Sequence, residues 1–353
     1  MAGILHCSCL ERYMKHLATI VLLMGIFALS GCMLENEEKA ASDSNVDIQT
    51  TAASKANCES STHFEILHDN GITEKHFVLE NDGYLLNAVY TYINDGKRHP
   101  AILFIAGSGP TDYNGTVGVL TPFKDMALAF AQKGICSLRL DKRTFCYASE
   151  MDIYAGVDEE YLSDCNAAIE YLEKQSITEF YLFGHSLGGQ IATELAARRT
   201  DVDGIILFNS SARHLADIAC DQYTAQDPTN KDLYTKYADE AKSVTQVSAS
   251  GYYYYGASDY YWASYNQINT ANNIKIANMK TLIINSTNDK QLFGEDIVLW
   301  RTLFSTMENV MITVYEDINH FGYVCDTSDS QFMYMQMEFP LKVVLACTEF
   351  LER

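Results

Sequence analysis

Consecutive apolar residues recur along the chain from residue 101 onward, in runs of five or six. Runs of this length without polar alternation are typical of strands that a sheet buries on both faces. They lie at residues 101–106, 135–140, 180–184, 204–209, 281–286 and 310–315. Ahead of them, residues 76–81 and 84–93 predict an antiparallel pair of strands, because the turn residues Asn81, Asp82 and Gly83 separate them.

Amphipathic segments with helical spacing lie between the predicted strands. They cover residues 123–134, 157–175, 186–199, 295–307 and 339–352. Strands that alternate with helices form crossover units, so the pattern predicts an α/β fold with a mostly parallel central sheet and helices on both faces. A chain of 353 residues, of which 48% are hydrophobic, is long and apolar enough to bury a sizeable core.

One segment interrupts the alternation, at about residues 211–279. About seventy residues separate two consecutive predicted strands there, and they hold many of the 23 tyrosines of the chain. A connecting helix with its loops is much shorter than this. We therefore predict that the folded part, residues 63–353, carries a cap at about 211–279, inserted over the carboxyl edge of the sheet.

The charge balance excludes one class of partner. The formal net charge is −21 and the pI is near 4.7. Binding to nucleic acid needs clustered Lys and Arg that displace counterions from phosphates, so we expect no nucleic-acid partner. No CxxC pair or His/Cys spacing indicates a structural metal, and we expect no cofactor.

The stretch Gly184-His185-Ser186-Leu187-Gly188 matches the G-x-S-x-G pattern. It follows a predicted strand directly and precedes a predicted helix, so it should form a sharp turn that presents the Ser186 hydroxyl at the sheet edge. Glycines flank the serine because side chains would collide there. This context predicts a nucleophilic serine, whereas a glycine-rich helix cap without chemistry is the alternative.

A serine nucleophile needs a histidine base and a carboxylate that orients the histidine. Asp289 follows the predicted strand 281–286, and His320 follows the predicted strand 310–315. Both therefore fall at the sheet edge where a catalytic triad with Ser186 requires them. Asp296 and Asp317 are the other candidates for the acid, although Asp296 should lie inside the following helix.

Two backbone N–H groups are expected to bind the oxyanion of a tetrahedral intermediate. One belongs to Leu187, next to the nucleophile. The other should come from the loop Gly107-Ser108-Gly109-Pro110 after an early strand, where Ser108 is the first choice. A plain tight turn is the alternative for this loop.

Several motifs together resemble the α/β-hydrolases. They are AGSGPTD at 106–112, RLDKR at 139–143, YYWASYNQIN at 260–269 and NHFGY at 319–323. Within that superfamily they resemble bacterial acyl esterases of the dienelactone-hydrolase-like or serine aminopeptidase-like branch. The resemblance runs from about residue 73 to the end of the chain and implies the α/β-hydrolase fold with Ser186, Asp289 and His320 as the triad. We also expect Asp112, Asp141 and Arg143 to form an ion-pair group under the oxyanion loop, with solvated charges as the alternative.

The tyrosine-rich stretch at about 252–265 could line a binding site with aromatic rings and hydroxyl groups. Tyr261 and Trp262 are the predicted substrate-binding residues, and simple packing of the cap is the alternative. Hydrolysis of carboxylic esters is the leading hypothesis. The alternatives are a proline iminopeptidase-like or acyl-aminopeptidase activity on short peptides, and a surface binding protein that has lost catalysis.

Residues 1–32 have the pattern of a targeting segment. An apolar run at 17–29 is short for a membrane span and leads into Leu29-Ser30-Gly31-Cys32. This stretch resembles the bacterial lipoprotein signal, which implies a diacylglyceryl group on Cys32. Residues 1–13 are unusual for a signal peptide, so we expect Met14 to be the true start. Residues 33–62 are polar and lack aromatic residues, so they predict a flexible tether. We expect an extracytoplasmic protein, anchored to the membrane by lipid at Cys32; an uncleaved anchor helix or ordinary secretion are the alternatives.

Seven of the ten cysteines would remain outside the cytoplasm as thiols or disulfides. Cys136 and Cys347 lie in apolar patterns and are expected to be buried. Cys146 and Cys325 fall in loops on the same face, so one disulfide between them is a further expectation.

Overall fold

The computed structural model describes residues 63–148, 151, 155–246, 253–325, 337 and 339–353. The predicted targeting segment, with Cys32, and the predicted tether at 33–62 lie outside the described residues. Among the residues described, no helix is long and apolar enough to cross a membrane.

A mixed sheet of nine strands forms the centre of the described part of the chain. Its strands are β1 (Phe64–Leu67), β2 (Ile72–Asn81), β3 (Tyr84–Ile93), β4 (His99–Ile105), β5 (Cys136–Leu140), β6 (Ile177–His185), β7 (Gly204–Phe208), β10 (Lys280–Ser286) and β11 (Val310–Tyr315). The two remaining strands of the described residues, β8 (Tyr253–Tyr254) and β9 (Ala257–Ser258), form a short separate hairpin. The spatial order is β1-β2-β3-β5-β4-β6-β7-β10-β11. The predicted strands are therefore confirmed, and β1 is an addition that the apolar pattern did not reveal.

Strand direction divides the sheet into two parts. β1, β2, β3 and β5 pair in antiparallel fashion, whereas β5, β4, β6, β7, β10 and β11 pair in parallel. The parallel strands all end at one edge of the sheet. Loops that follow β4, β6, β10 and β11 therefore meet there, and these loops carry the predicted site residues.

Each predicted amphipathic segment contains a helix, and five further helices in the described part of the chain lie outside those segments. The helices are α1 (Pro122–Ala131), α2 (Arg143–Cys146), α3 (Ser163–Glu173), α4 (Leu187–Arg198), α5 (Leu215–Gln226), α6 (Lys231–Ser243), α7 (Asp259–Tyr265), α8 (Thr270–Ala277), α9 (Gly294–Phe304) and α10 (Leu341–Leu351). A wider helical turn, Asp158–Leu162, leads directly into α3. α10 begins after Pro340, whose fixed φ suits a helix start.

Two hydrophobic layers enclose the sheet. On one face α1 and α10 pack against the strands, with Phe130 and Phe350 fully or almost fully buried. On the other face α3, α4 and α9 contribute Leu172, Ile191 and Trp300. A mostly parallel sheet with helices on both faces is the architecture that the sequence predicts.

The segment at 211–279 contains α5 to α8 and the hairpin of β8 and β9. It packs on the α4 side of the sheet, where Tyr265 and Trp262 join the same hydrophobic layer. The Tyr265 hydroxyl donates to Gln190 of α4 at 2.6 Å. This contact fixes α7 next to the helix that begins at Ser186.

Candidate active site

A sharp turn connects β6 to α4 at Ser186. Its φ of 55° and ψ of −124° are rare for any residue other than glycine. A Cβ at Gly184 would lie 2.2 Å from the Gly188 carbonyl oxygen, and one at Gly188 would lie 2.1 Å from the Ile105 carbonyl oxygen. Both glycines are therefore required by close backbone contacts. A 3.0 Å hydrogen bond from the Ser186 N–H to the Phe208 carbonyl holds the turn against β7.

His320 and Asp289 lie in the loops after β11 and β10. The His320 Nδ1 atom is 2.7 Å from the Asp289 Oδ2 atom, and both side chains are buried. The N–H groups of Gln291 and Leu292 donate to the other carboxylate oxygen at 2.7 and 3.0 Å. Because an ionised carboxylate only accepts hydrogen bonds, the proton of neutral His320 is placed on Nδ1. Nε2 is then the acceptor that a general base needs.

The two other acid candidates have different partners. Asp296 is fully buried in the first turn of α9, where Arg213 binds it with Nε at 2.8 Å from Oδ1. Asp317 is about half exposed and forms an ion pair with Lys342. Neither contacts His320, so the structure brings only Asp289 to the histidine.

Two side chains hold the backbone of His320. The Nδ2 atom of Asn209 and the Nε2 atom of His185 each lie 2.9 Å from the His320 carbonyl oxygen. The His185 and His320 ring centroids are 4.7 Å apart, so the base lies beside the residue that precedes Ser186. Burial, together with the neighbouring His320, lowers the pKa of His185 to about 3. Sequence reasoning missed both roles: His185 is a variable position of its motif, and Asn209 carries no motif at all.

Of the two predicted oxyanion donors, Leu187 directly follows the nucleophile and Ser108 directly follows Gly107. In the described part of the chain, neither the Leu187 N–H nor the Ser108 N–H donates to a protein acceptor. Leu187 is the first residue of α4, where helical geometry leaves N–H groups without intrahelical acceptors. Gly107 lies against the serine, because a Cβ there would be 3.0 Å from the Ser186 Cβ and 3.5 Å from its Oγ. Both amides are thus available to an oxygen bound at this edge.

A buried lysine lies under the oxyanion loop and was not singled out from the sequence. Lys142 Nζ is 3.0 Å from the Gly107 carbonyl oxygen, 2.8 Å from that of Gly109 and 2.7 Å from the Tyr161 hydroxyl. Glu160 balances its charge at 2.9 Å. Burial lowers the pKa of Lys142, and the Glu160 carboxylate opposes that shift. Only its position in the RLDKR motif could have drawn attention to it.

The expected ion-pair group of Asp112, Asp141 and Arg143 does not form. Arg143 instead makes two 2.7 Å contacts with the buried Asp164, by Nε and Nη2, and a third with Asp82. Asp141 accepts from the Tyr113 N–H at 2.7 Å and from Asn87 at 2.8 Å. Asp112 accepts from the N–H and hydroxyl of Thr116 at 2.7 Å. The prediction is wrong because Arg143 binds Asp164 of α3 and Asp82 of the turn between β2 and β3.

Comparisons with known proteins show what the chain is similar to. Residues 114–228 match the family model "Serine aminopeptidase, S33". Esterase EstD of Thermotoga maritima is 30% identical over 224 residues, which are 63% of this chain and 54% of EstD. The chain thus spans about half the length of this curated relative.

Solved structures extend the likeness to most of the chain. Est1E from Butyrivibrio proteoclasticus superposes with a TM-score of 0.53 at 16% identity, over 78% of this chain and 97% of Est1E. The acylaminoacyl peptidase of Pyrococcus horikoshii gives a TM-score of 0.52 at 15% identity, over 80% of this chain and 42% of that one. The chain has the α/β-hydrolase fold. The fold expected from the sequence motifs is therefore confirmed.

Within this α/β-hydrolase fold, the two predicted substrate residues lie in α7, which belongs to the predicted cap at 211–279. Trp262 is 1% exposed, donates from Nε1 to the Tyr254 carbonyl at 3.0 Å and packs against Tyr265. This environment is that of cap packing, which was the alternative for Trp262. Burial raises the pKa of the Tyr261 hydroxyl, and the charge of the nearby Glu160 raises it further, so Tyr261 lies near the Lys142 cluster. Its role in substrate binding stays a prediction.

The remaining expectations concern metals and cysteines. The residues that the structure describes contain no group of three or more His, Cys, Asp or Glu side chains that could hold a metal ion. Cys136 and Cys347 are buried, as expected. The pairing of Cys146 with Cys325 is wrong, because Cys146 is disulfide-bonded while Cys325 keeps its thiol. The partner of Cys146 is none of the other cysteines in the described ranges.

Proposed function

We propose that this protein is a serine hydrolase that cleaves carboxylic esters through an acyl-enzyme on Ser186. The observation that carries the proposal is the 2.7 Å contact between His320 and Asp289, at the sheet edge where the strained turn presents Ser186. A histidine held by a carboxylate, beside a serine on a strand-to-helix turn, is the arrangement that activates a hydroxyl near neutral pH.

The reaction follows from the placement of these groups. His320 Nε2 takes the Ser186 hydroxyl proton while Oγ forms a bond to the acyl carbon. The N–H groups of Leu187 and Ser108 bind the oxygen that becomes negative. Collapse of this intermediate breaks the bond to the alcohol oxygen, which receives the proton from His320. Water then attacks the acyl-enzyme in the same way and releases the carboxylic acid.

Two relatives support an ester substrate. EstD is named an esterase, and a structure of Est1E contains bound ferulic acid. Est1E shares only the fold at this level of identity, so the support for ester chemistry comes mainly from EstD. The substrate class proposed here is a small acyl ester that fits under the cap.

An aminopeptidase is the second candidate, because the matching family model describes serine aminopeptidases. Such an enzyme needs a carboxylate that binds the substrate ammonium group. Glu160 is close to the predicted site, but its charge is balanced by Lys142 at 2.9 Å. This pairing favours the neutral ester over a substrate with a free amine.

A substrate panel tests the proposal. Purified protein is assayed with 4-nitrophenyl acetate, butyrate and decanoate and with alanine and proline 4-nitroanilides. We expect turnover of at least one ester that Ser186→Ala abolishes and that the control Ser258→Ala keeps, since Ser258 also lies at a helix start but in the cap. Turnover of the anilides alone would favour the aminopeptidase. No turnover dependent on Ser186, with no labelling by a fluorophosphonate, would exclude both.

We also propose that the protein is extracytoplasmic and held to a membrane by lipid on Cys32, with residues 33–62 as a tether. The lipoprotein-like motif at 29–32 supports this, since multiple acyl chains anchor stably. Expression with labelled palmitate, followed by membrane fractionation, tests it. Cys32→Ala should lose both label and membrane association, whereas Cys9→Ala should lose neither. Retention of Cys32→Ala protein in membranes would contradict the proposal.

A further inference from the structure

The oxyanion loop is supported from below by one charged side chain. Four acceptors surround the three N–H bonds of Lys142: the carbonyls of Gly107 and Gly109, the Tyr161 hydroxyl and Glu160, all within 3.0 Å of Nζ. The ammonium group is buried, so these contacts are not screened by water. Hydrogen bonds from a charged donor are stronger than those between neutral groups.

The Gly107 carbonyl has a second donor in the same cluster. The Tyr161 hydroxyl lies 2.7 Å from it and accepts from Lys142 in turn. The Lys142 backbone N–H also donates to the Thr111 carbonyl at 3.0 Å. Lys142 therefore binds every second residue of the segment from Gly107 to Thr111.

The contacts of the Gly107 carbonyl oxygen determine the direction of the Ser108 N–H. In a planar trans peptide the C=O of one residue and the N–H of the following residue point in opposite directions. Because the Gly107 oxygen points at Lys142 and Tyr161, the Ser108 N–H points away from the buried cluster. Gly107, which precedes this amide, lies against Ser186, since a Cβ on Gly107 would be 3.0 Å from the Ser186 Cβ.

We propose that Lys142 is a positioning residue for the oxyanion hole: its ammonium group holds the Gly107 carbonyl and so aims the Ser108 N–H at the reacting carbonyl oxygen. Tyr161 assists through the same oxygen. The proposal rests on the ester hydrolysis proposed above. Lys142 itself touches neither the substrate nor the triad.

The cluster continues from the loop to the cap. Glu160, which balances Lys142, also lies near Tyr261 of α7, where its charge adds to the effect of burial in raising the pKa of the Tyr261 hydroxyl. The orientation of the oxyanion donor is thus linked to the cap through two side chains. Loss of the lysine should affect the transition state, in which the oxygen is charged, far more than binding of the neutral ester.

Two variants test this role on the full chain with a 4-nitrophenyl ester. Lys142→Met removes all three donors, and Tyr161→Phe removes only one. We expect kcat/KM to fall about 10- to 100-fold for Lys142→Met, since removing an oxyanion donor outright costs about 10²- to 10³-fold. For Tyr161→Phe we expect a fall of about threefold to tenfold, the size of one lost hydrogen bond. The loss should appear in kcat, with KM nearly unchanged.

A matched pair elsewhere in the sheet serves as the control. Lys280 Nζ lies 3.3 Å from the Tyr181 hydroxyl at the opposite end of the strands. Lys280→Met and Tyr181→Phe should keep wild-type kcat/KM. Comparable losses in this pair would mean that the effect is general destabilisation and would overturn the proposal.

Binding of phenylboronic acid separates positioning from a merely structural role. Its adduct with Ser186 is tetrahedral and carries a negative oxygen, so its Ki should rise by the same factor as kcat/KM falls. If Lys142→Met does not fold, the kcat/KM and Ki of Tyr161→Phe alone test the proposal. Folded variants with unchanged kcat/KM and Ki overturn the proposal. Ester turnover that survives Ser186→Ala would instead refute the function on which it rests.

Discussion

Ser186 occupies a backbone conformation that opposes folding, and this predicts that an inactive glycine variant is more stable than an inactive alanine variant. Its φ of 55° and ψ of −124° lie in a region that costs a residue with a Cβ about 1–3 kcal/mol. Ser186→Ala keeps the Cβ and so keeps this cost. Ser186→Gly removes it, because glycine adopts positive φ freely.

The unfolded chain offsets part of the gain. Glycine has more conformational freedom when unfolded, which costs about 0.5–1 kcal/mol relative to alanine. The backbone hydrogen bond from residue 186 to the Phe208 carbonyl is present in both variants. The difference should therefore be about 1 kcal/mol in favour of Ser186→Gly, or a melting temperature higher by about 2 °C.

Thermal and urea unfolding of the two variants, followed by circular dichroism, measure this difference in the same inactive background. Ala197→Gly is the control, since Ala197 is an ordinary helical residue of α4. There the same loss of a methyl group should destabilise the protein by about 1 kcal/mol. Equal or lower stability of Ser186→Gly than of Ser186→Ala would refute the claim that the turn is strained.

Three further outcomes are expected. Because the pKa of His185 is lowered to about 3, the unfolded chain binds a proton that the folded one does not between about pH 6.5 and 3. The free energy of unfolding should fall as the pH falls through this window, by up to about 1.4 kcal/mol per unit, and urea unfolding of His185→Gln should lack that slope. Asp289→Asn should lower kcat/KM about 10²- to 10⁴-fold in the ester assay, whereas Asp317→Asn should change it by less than about twofold; the reverse result would reassign the acid. Gly188→Ala should not yield soluble folded protein, since its Cβ meets a backbone carbonyl at 2.1 Å, but Gly294→Ala, with open space around it, should express normally.

The sheet could be predicted because its signal is local. A strand buried on both faces reads as a continuous apolar run, and each such run became a strand of the parallel part. The nucleophile turn could be predicted for the same reason, since its glycines and serine are consecutive. β1 was missed because the residues of Phe64–Leu67 are all exposed, so the strand lacks the pattern of a buried one.

The polar contacts could not be predicted, because their partners are distant in sequence. Arg143 pairs with Asp82 and Asp164, 61 and 21 residues away, and not with the acidic residues of its own motif. Asn209 reaches the His320 backbone across 111 residues. The acid that pairs with a given cation depends on how the helices pack over the sheet. The local sequence pattern does not contain that information.

The end of β5 and the residues that follow it show why these distant pairs matter for catalysis. Arg139, Lys142 and Arg143 are all buried, and each is balanced by its own acid, Glu74, Glu160 and Asp164 respectively. Removing one partner of a buried pair leaves an uncompensated charge, which costs several kcal/mol, so each cation has little freedom to move. A loop held by such a cation keeps its amides fixed before substrate arrives. Preorganised donors need no reorganisation during the reaction, and that is the property an oxyanion hole requires. The buried charge of Lys142, which contacts residues 107, 109 and 111, is therefore better explained by the precision it imposes on that loop than by the stability it adds.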